Sequence, residues 1–136
     1  MHSLTVPADP KTTLLESADT TSELLNWLDE KLEVIAKRGI SLERIIFDPG
    51  IGFGKTPSQS IEILRQIELF KNQGLRTLAG HSRKSFMKSF SDPEAKKRDL
   101  ESIGLSLALC EKGVDFLRVH EPEKHIKAHM GYLNAY

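Results

Sequence analysis

The segment from Ile45 to Thr56 constrains the fold more than any other part of the sequence. It opens with a short run of β-branched and aromatic residues, which predicts a strand, and the run ends at a carboxylate, Asp48. A glycine-rich loop follows, and Thr56 then suits the N-cap of a helix in which Gln59 completes a capping box. The segment therefore predicts a strand, a functional loop and a helix in direct succession.

Two later segments repeat this succession. Residues 77–80 form a strand-like run that leads into the polar residues 81–85, and residues 114–117 lead into residues 118–121. Strands that alternate with helices predict a parallel sheet with right-handed crossovers, and such sheets carry their sites at the carboxyl ends of the strands. A further strand is indicated at Met1–His2. The predicted fold class is therefore α/β.

The number of units bears on the architecture. Four strand–helix units are predicted, which could form an open four-stranded sheet or half of a (β/α)₈ barrel, since a full barrel needs about 250 residues and this chain has 136. No linker or low-complexity tract divides the chain, so residues 1–136 are predicted to form one unit. The abrupt start on a strand favours the half barrel.

Helical periodicity indicates where the connecting helices lie. Thr20 and Glu23 offer a capping box for the first of them, and Ser82 is predicted to cap a short helix that extends to Phe90. Cys110 is the only cysteine, and its position on an apolar helical face with Ile103 and Leu107 favours a buried structural thiol over a catalytic one. The longer helices are predicted over residues 20–38, 57–72, 97–112 and 121–134.

Composition argues against several classes of function. Lys and Arg number 19, as do Asp and Glu, so the formal net charge is zero and binding to nucleic acid or to a membrane surface through bulk charge is not expected. No apolar run approaches the ~20 residues of a membrane span, and no leader resembles a signal peptide. With one cysteine, the chain forms no internal disulfide, and a cytoplasmic location is expected.

Polar residues at the first two strand ends are candidates for ligand binding. Asp48 closes an apolar strand, where it could accept two parallel hydrogen bonds from an amino-pyrimidine edge or form a salt bridge with a neighbouring cation. Arg83 and Lys84 follow Ser82 at a predicted helix start, where cations are disfavoured unless an anion or electron-rich ligand binds. The alternative for this pair is two solvated surface cations.

The third strand end combines an arginine with a histidine. Arg118 and His120 alternate along the strand, so they point to one side and suit a phosphate, although Arg118 could instead pair with Glu121 or Asp115. The H-E-x-x-H zinc motif is incomplete here, and His125 and His129, four residues apart, lack an evident third ligand. A solvated helix face is therefore expected for these two histidines, and no metal ligand is predicted.

The glycine-rich loop matches neither common nucleotide-binding pattern. A P-loop requires glycine where this sequence has Pro49, and a Rossmann fingerprint requires glycine or alanine where it has Lys55. Glycines that only form a tight turn are the remaining structural explanation.

Taken together, the three segments resemble the dihydropteroate synthase family of pterin-binding (β/α)₈ enzymes. The resemblance rests on residues 48–55, 80–85 and 118–121, and Met1–His2 is similar to the family's strand-five motif. His81 stands where family members often carry an apolar residue. The resemblance implies a (β/α)₈ TIM barrel of which this chain covers about the last four β/α units, the C-terminal half of the domain.

The resemblance also implies a reaction, the condensation of 6-hydroxymethyl-7,8-dihydropterin pyrophosphate with p-aminobenzoate to 7,8-dihydropteroate and pyrophosphate. It implies catalytic roles for Lys84, Arg118 and His120. The residues implied in substrate binding cluster at the three strand ends: Asp48, Gly52, Phe53, Gly80, Ser82, Arg83, Lys84, Ser85, Arg118 and His120.

Several expectations about cofactors and partners follow from the resemblance. They are Mg²⁺ held by a residue outside this chain, inhibition by sulfonamide-type compounds, and a homodimer formed through the C-terminal helices. Nothing in the sequence matches the family's first four strands, so the chain is expected to be a C-terminal fragment with little or no synthase activity alone. Two alternatives are a non-catalytic half-barrel interaction module and a folate-dependent methyltransferase of the same superfamily, although a methyl carrier needs no pyrophosphate clamp.

Overall fold

The computed structural model describes residues 12–13 and 19–135. Within them, three short parallel strands form one sheet with the second strand in the centre: β1 (Ile46–Phe47), β2 (Arg76–Ala79) and β3 (Phe116–Leu117). The helices are α1 (Thr20–Lys37), α2 (Pro57–Arg65), α3 (Glu68–Lys71), α4 (Asp99–Glu111) and α5 (Pro122–Leu133). The strand predicted at Met1–His2 lies outside the described residues. No helix in the described part is long and apolar enough to span a membrane.

Pairing within the sheet brings the three predicted strand ends to one edge. Phe47 pairs with Thr77 and Ala79 pairs with Leu117, all in parallel register. β3 is shorter than predicted, because the Asp115 carboxylate accepts a hydrogen bond from the Thr77 backbone N–H at 2.8 Å and so replaces a ladder bond. The α/β prediction is confirmed, and the polar residues that follow the strands are neighbours in space.

Helix starts follow local sequence chemistry. The predicted capping box of α2 is confirmed: the Gln59 backbone N–H donates to Thr56 Oγ1, and Gln59 Oε1 accepts from the Thr56 N–H. The cap predicted for α1 is wrong by one residue. Asp19 caps this helix by accepting from the Ser22 N–H at 3.0 Å, and Thr20 is already the first helical residue.

Two predicted helices differ from the structure. The one predicted over 57–72 is divided into α2 and α3. The helix predicted to start at Ser82 is a 3₁₀ helix over Ser85–Ser89, and its start receives no side-chain cap. The hydroxyl of Ser82 instead contacts His120, 3.1 Å away, so the tertiary contact replaces the predicted local one.

The apolar core joins α1, α2 and α3 to β1. Phe47 lies between two aromatic rings, with centroid distances of 6.5 Å to Trp27 and 5.2 Å to Phe70. Ile63 and Ile67 contribute fully buried side chains to the same cluster. Because Phe47 immediately precedes Asp48, this packing anchors the strand end that carries the first candidate site residue.

The buried face of α4 differs from the predicted one. Ile103, Leu107 and Cys110 are only partly buried, and burial raises the pKa of the Cys110 thiol. The residues of α4 that are buried are Ser102, Ser106 and Leu109. The two serines hydrogen-bond with buried polar groups, so polar partners rather than apolar periodicity determine the orientation of this helix.

Candidate functional site

A cleft of about 370 Å³ lies at the carboxyl ends of the three strands. All three predicted segments contribute to it, and every lining residue except Val119 was predicted as a site residue. The lining residues are Phe53, Gly80, Ser82, Lys84, Arg118, Val119 and His120. Parallel sheets place ligand sites at this edge, so the position of the cleft agrees with the prediction from strand order.

The Lys84 ammonium is a cation of the cleft that two contacts hold in place. Its Nζ lies 4.1 Å from the centroid of the Phe53 ring and donates a hydrogen bond to the Ile51 carbonyl. Burial lowers the pKa of Lys84 to about 8, the Asp48 carboxylate opposes this change, and the Arg118 guanidinium adds to it. Lys84 is therefore mostly charged at pH 7, and half of its molecules lose the proton at about pH 8.

Asp48 lies behind this cation with its side chain 15% exposed. Its Oδ1 accepts a hydrogen bond from the Gly50 N–H at 2.8 Å, and its Oδ2 is 3.8 Å from Nη2 of Arg118. At 3.8 Å the contact with Arg118 is an ion pair but not a hydrogen bond. One carboxylate oxygen thus shapes the loop, and the other is paired with Arg118.

Arg118 and His120 both face the cleft, as predicted. The Arg118 guanidinium lies against Gly80, where an added Cβ would be 2.7 Å from Nη2. His120 Nδ1 is 3.1 Å from the hydroxyl of Ser82, a side chain that is only 5% exposed. The buried serine therefore orients the imidazole, and the absence of a side chain at Gly80 gives the guanidinium its place.

Four predicted site residues are not among those that line the cleft, namely Asp48, Gly52, Arg83 and Ser85. The Arg83 guanidinium donates to both carboxylate oxygens of Asp99, at 2.6 and 3.0 Å, and to Glu121 at 3.1 Å. Ser85 is exposed at the start of the 3₁₀ helix. A direct contact of any of these four residues with substrate stays a prediction, and for Arg83 the contacts in the structure point elsewhere.

Lys55 is a buried cation that the sequence reasoning missed. Its side chain is 7% exposed, and its Nζ donates to the Phe53 carbonyl at 3.0 Å. Burial lowers the pKa of Lys55 to about 8, and the nearby charge of Lys84 adds to this effect. Gly52, at φ +74°, lets the same loop approach Lys84, since an added Cβ would lie 3.2 Å from Lys84 Cδ. The available signal was a lysine directly after the glycine-rich run.

A second missed feature is a buried chain of hydrogen bonds beside the cleft. His81 is fully buried, and its Nε2 lies 3.0 Å from both the Ser102 carbonyl and the Ser106 hydroxyl. The same hydroxyl is 2.7 Å from Nδ1 of His125. Burial lowers the pKa of His81 to about 4, so this ring is neutral at pH 7. The solvated face predicted for His125 and His129 is therefore wrong for His125, which packs against α4.

The sequence matches the family described as pterin binding enzyme over residues 1–120. The chain belongs to the pterin binding enzyme family. Its relatives in this family include the folate synthesis bifunctional protein of Chlamydia caviae, 40% identical over 90% of this chain and 27% of the relative. The dihydropteroate synthase of Synechocystis is 35% identical over 81% of this chain and 38% of the relative.

A solved dihydropteroate synthase has a similar fold over the length of this chain. The crystal structure of dihydropteroate synthase from Anaplasma phagocytophilum with bound 6-hydroxymethylpterin-monophosphate is similar with a TM-score of 0.87 and 31% identity. The match covers 100% of this chain and 53% of that chain. The chain thus spans about half of that enzyme, and the three-stranded parallel sheet is part of a TIM barrel, as the resemblance implied.

Replacement of Gly80 by alanine is expected to weaken anion binding while it leaves stability nearly unchanged. The new Cβ would come within 3.0 Å of two Arg118 nitrogens, and this half-exposed side chain can swing away. We expect about tenfold weaker binding of inorganic pyrophosphate and a change in the free energy of unfolding within about 0.5 kcal/mol. Calorimetry and urea denaturation measure both. Gly104→Ala, in the open surroundings of α4, is the control, and equal pyrophosphate affinity in the two variants would contradict the prediction.

Proposed function

We propose that this chain forms part of a dihydropteroate synthase, which condenses 6-hydroxymethyl-7,8-dihydropterin pyrophosphate with p-aminobenzoate to 7,8-dihydropteroate and pyrophosphate. The observation that carries the proposal is the cleft lined by Phe53, Lys84, Arg118 and His120, with the Asp48 carboxylate next to it, 3.8 Å from Nη2 of Arg118. The carboxylate suits the amino-pyrimidine edge of a pterin, the aromatic ring suits a flat substrate, and the cations suit a pyrophosphate.

The chemistry asks little of the protein beyond positioning and charge stabilisation. The amine nitrogen of p-aminobenzoate forms a bond to the pterin methylene carbon, the carbon–oxygen bond to pyrophosphate breaks, and the amine proton passes to solvent or to the leaving group. Arg118 and His120 would stabilise the charge that develops on the leaving pyrophosphate. Lys84, held over Phe53, would position the two substrates against each other.

The cation cluster separates this reaction from methyl transfer, since a bound methyl carrier releases no pyrophosphate. A half-barrel module without catalysis is the remaining alternative, and it predicts no binding of a pterin. Because the chain spans 53% of the solved relative, we expect the isolated chain to bind substrate with little or no turnover.

Because of the family resemblance, the proposal includes a magnesium ion that is bound by residues outside this chain. Among the described residues, no group of three or more His, Cys, Asp or Glu side chains could hold a metal ion. The carboxylate closest to the cleft belongs to Asp48, whose oxygens already contact the Gly50 N–H and Arg118. The described residues therefore do not form an ion site by themselves.

The proposal extends to partners and location. Ile126, Met130 and Leu133 form an apolar stripe on α5, with exposed fractions of 60%, 59% and 59%, which supports a homodimer through the C-terminal helices. Sulfonamide-type inhibitors are proposed to take the place of p-aminobenzoate beside Phe53 and Lys84. The free cysteine, Cys110, supports a location in the reducing cytoplasm.

Titration calorimetry with 6-hydroxymethylpterin monophosphate tests the proposal. We expect saturable binding that Asp48→Asn and Arg118→Ala each weaken about tenfold or more. Asp48→Asn keeps an oxygen that can accept from the Gly50 N–H, so its effect reports on the ligand rather than on the loop. Asp29→Asn, an exposed change on α1, is the matched control. Absence of binding by the folded chain, or binding that neither site variant changes, would refute the proposal.

A further inference from the structure

Arg83 has an unusual backbone conformation for a residue with a side chain. Its φ of 57° is the one positive value among the described non-glycine residues. The left-handed region is disfavoured for side chains other than glycine, so such a residue persists only where its surroundings hold it. Arg83 lies between Ser82 and Lys84, which both line the cleft.

Contacts from two other segments hold the backbone and the side chain of Arg83. Its N–H donates to the Ser102 hydroxyl at 3.0 Å, and its carbonyl accepts from the Arg98 guanidinium at 2.9 Å. Its own guanidinium forms the two-pronged contact with Asp99 and a third bond to Glu121. Hydrogen bonds from Arg83 hold the pKa of Asp99 at about 2, so this carboxylate is charged at neutral pH.

Arg98 is a buried cation held chiefly by backbone groups. Its residue is 2% exposed, and its guanidinium donates to the carbonyls of Arg83 and Lys84 at 2.9 and 3.0 Å. It also donates to the carbonyl of Asp92 at 2.6 Å and to that of Pro93. An arginine has five N–H donors in a fixed plane, against three on a lysine ammonium, so it can serve these four carbonyls at once.

We propose that Arg83, Arg98 and Asp99 form a positioning unit that aims the Ser82 hydroxyl and the Lys84 ammonium into the cleft, and that Arg83 is not itself a ligand. Two consecutive residues, Arg98 and Asp99, hold the segment at Arg83. Arg98 donates to the carbonyls of residues 83 and 84, and Asp99 accepts from the guanidinium of Arg83. The ligand part of the inference rests on the proposed function, whereas the geometric part does not.

The physical consequence concerns the direction of two neighbouring side chains. The left-handed residue turns the chain so that Ser82 meets His120 while Lys84 meets Phe53. Without the hydrogen bonds from Arg98 and Asp99, Arg83 would relax to a negative φ, and the Lys84 amine would move from its partly buried position towards water.

Titration of Lys84 tests the geometric part without any ligand. In the 136-residue chain carrying ¹³C at lysine Cε, the Lys84 signal, assigned by its loss in Lys84→Arg, is expected to titrate near pH 8. In Arg98→Ala and in Asp99→Asn we expect the midpoint to move up by about one unit or more towards the ordinary lysine value. Millimolar guanidinium should restore the original midpoint in Arg98→Ala. Lys124→Gln, which removes only the other cation on Asp99, is the matched control.

Affinity for 6-hydroxymethylpterin monophosphate tests the ligand part, and the two roles for Arg83 predict opposite results. A positioning role predicts about tenfold weaker binding in Asp99→Asn. A ligand role predicts tighter binding, because the change would release the Arg83 guanidinium. Tighter binding in Asp99→Asn would therefore overturn the proposal.

The two measurements separate this inference from the proposed function. If the unchanged chain binds no pterin compound, the function fails and the Lys84 titration still decides the positioning unit. If the ligand binds and the Lys84 midpoint stays near pH 8 in both variants, the positioning unit is refuted and the function stands. Circular dichroism checks that each variant is folded, and the milder Asp99→Asn serves where Arg98→Ala does not fold.

Discussion

Replacement of Lys84 by methionine is expected to abolish pterin binding and, at the same time, to raise the free energy of unfolding at pH 7. The folded chain disfavours the buried ammonium, because burial lowers the pKa of Lys84 from 10.5 to about 8. Methionine has a similar shape without the charge. After allowance for solvent screening of a partly buried group, we expect a gain of about 1 to 3 kcal/mol. The site is thus stabilised by losing a group that ligand binding requires.

The same pKa values predict how stability depends on pH. Lys55 and Lys84 both titrate near pH 8 in the folded chain and near 10.5 when unfolded. Between these values the unfolded state binds more protons, so the free energy of unfolding rises with pH in this window and levels off above it. Ligand binding is expected to change in the opposite direction, because the Lys84 charge is lost above pH 8.

Urea denaturation at pH 7 and pH 9 measures this dependence. Wild type should gain stability at pH 9, and Lys84→Met should start higher and gain less. Lys88→Met, a change of an exposed lysine in the neighbouring 3₁₀ helix, is the control. The prediction is wrong if Lys84→Met is less stable than wild type, or if wild type is less stable at pH 9 than at pH 7. Either result would show that the folded chain does not disfavour the Lys84 ammonium.

Replacement of Phe70 by alanine is expected to produce the largest loss of stability. This side chain is fully buried and packs on Phe47 at a centroid distance of 5.2 Å. Removal of a buried phenylalanine costs about 3 to 5 kcal/mol, while a domain has only about 5 to 15 kcal/mol in total. The variant is therefore expected to be largely unfolded at physiological temperature.

Thermal denaturation followed by circular dichroism checks this result. Phe90→Ala is the control, since half of that side chain is exposed, and a loss below about 1 kcal/mol is expected there. Because Phe47 precedes Asp48, any folded fraction of Phe70→Ala should also bind the pterin compound more weakly. Equal melting temperatures for the two variants would contradict the assignment of the core.

Several features of the fold could be predicted because they depend on residues close in sequence. The capping box of Thr56 and Gln59 requires only the first turn of α2, and its prediction is confirmed. The apolar run that ends at Asp48 identified β1 from its own side chains. Lys84 and Arg118 each follow a predicted strand, and parallel strands end at the same edge of a sheet. The sequence therefore predicted that both residues lie close together, and the structure places them in one cleft.

The predictions that were wrong concern groups whose partners lie far along the chain. Ser82 is a suitable helix-capping residue, but in the folded chain its hydroxyl contacts Nδ1 of His120. The buried face of α4 includes Ser102 and Ser106, which form hydrogen bonds with His81. Burial of a polar group becomes favourable only when a partner satisfies its hydrogen bonds, and periodicity does not reveal that partner.

Consecutive residues were enough to predict the family, the parallel α/β arrangement and most residues that line the cleft, because motifs and turns depend on neighbours in the chain. The packing of distant segments determines that Arg83 pairs with Asp99, that Arg98 donates to carbonyls of the preceding loop and that Lys55 is buried. These three outcomes depend on distances between segments and on loss of water around a charge. Such quantities exist only once the chain is packed.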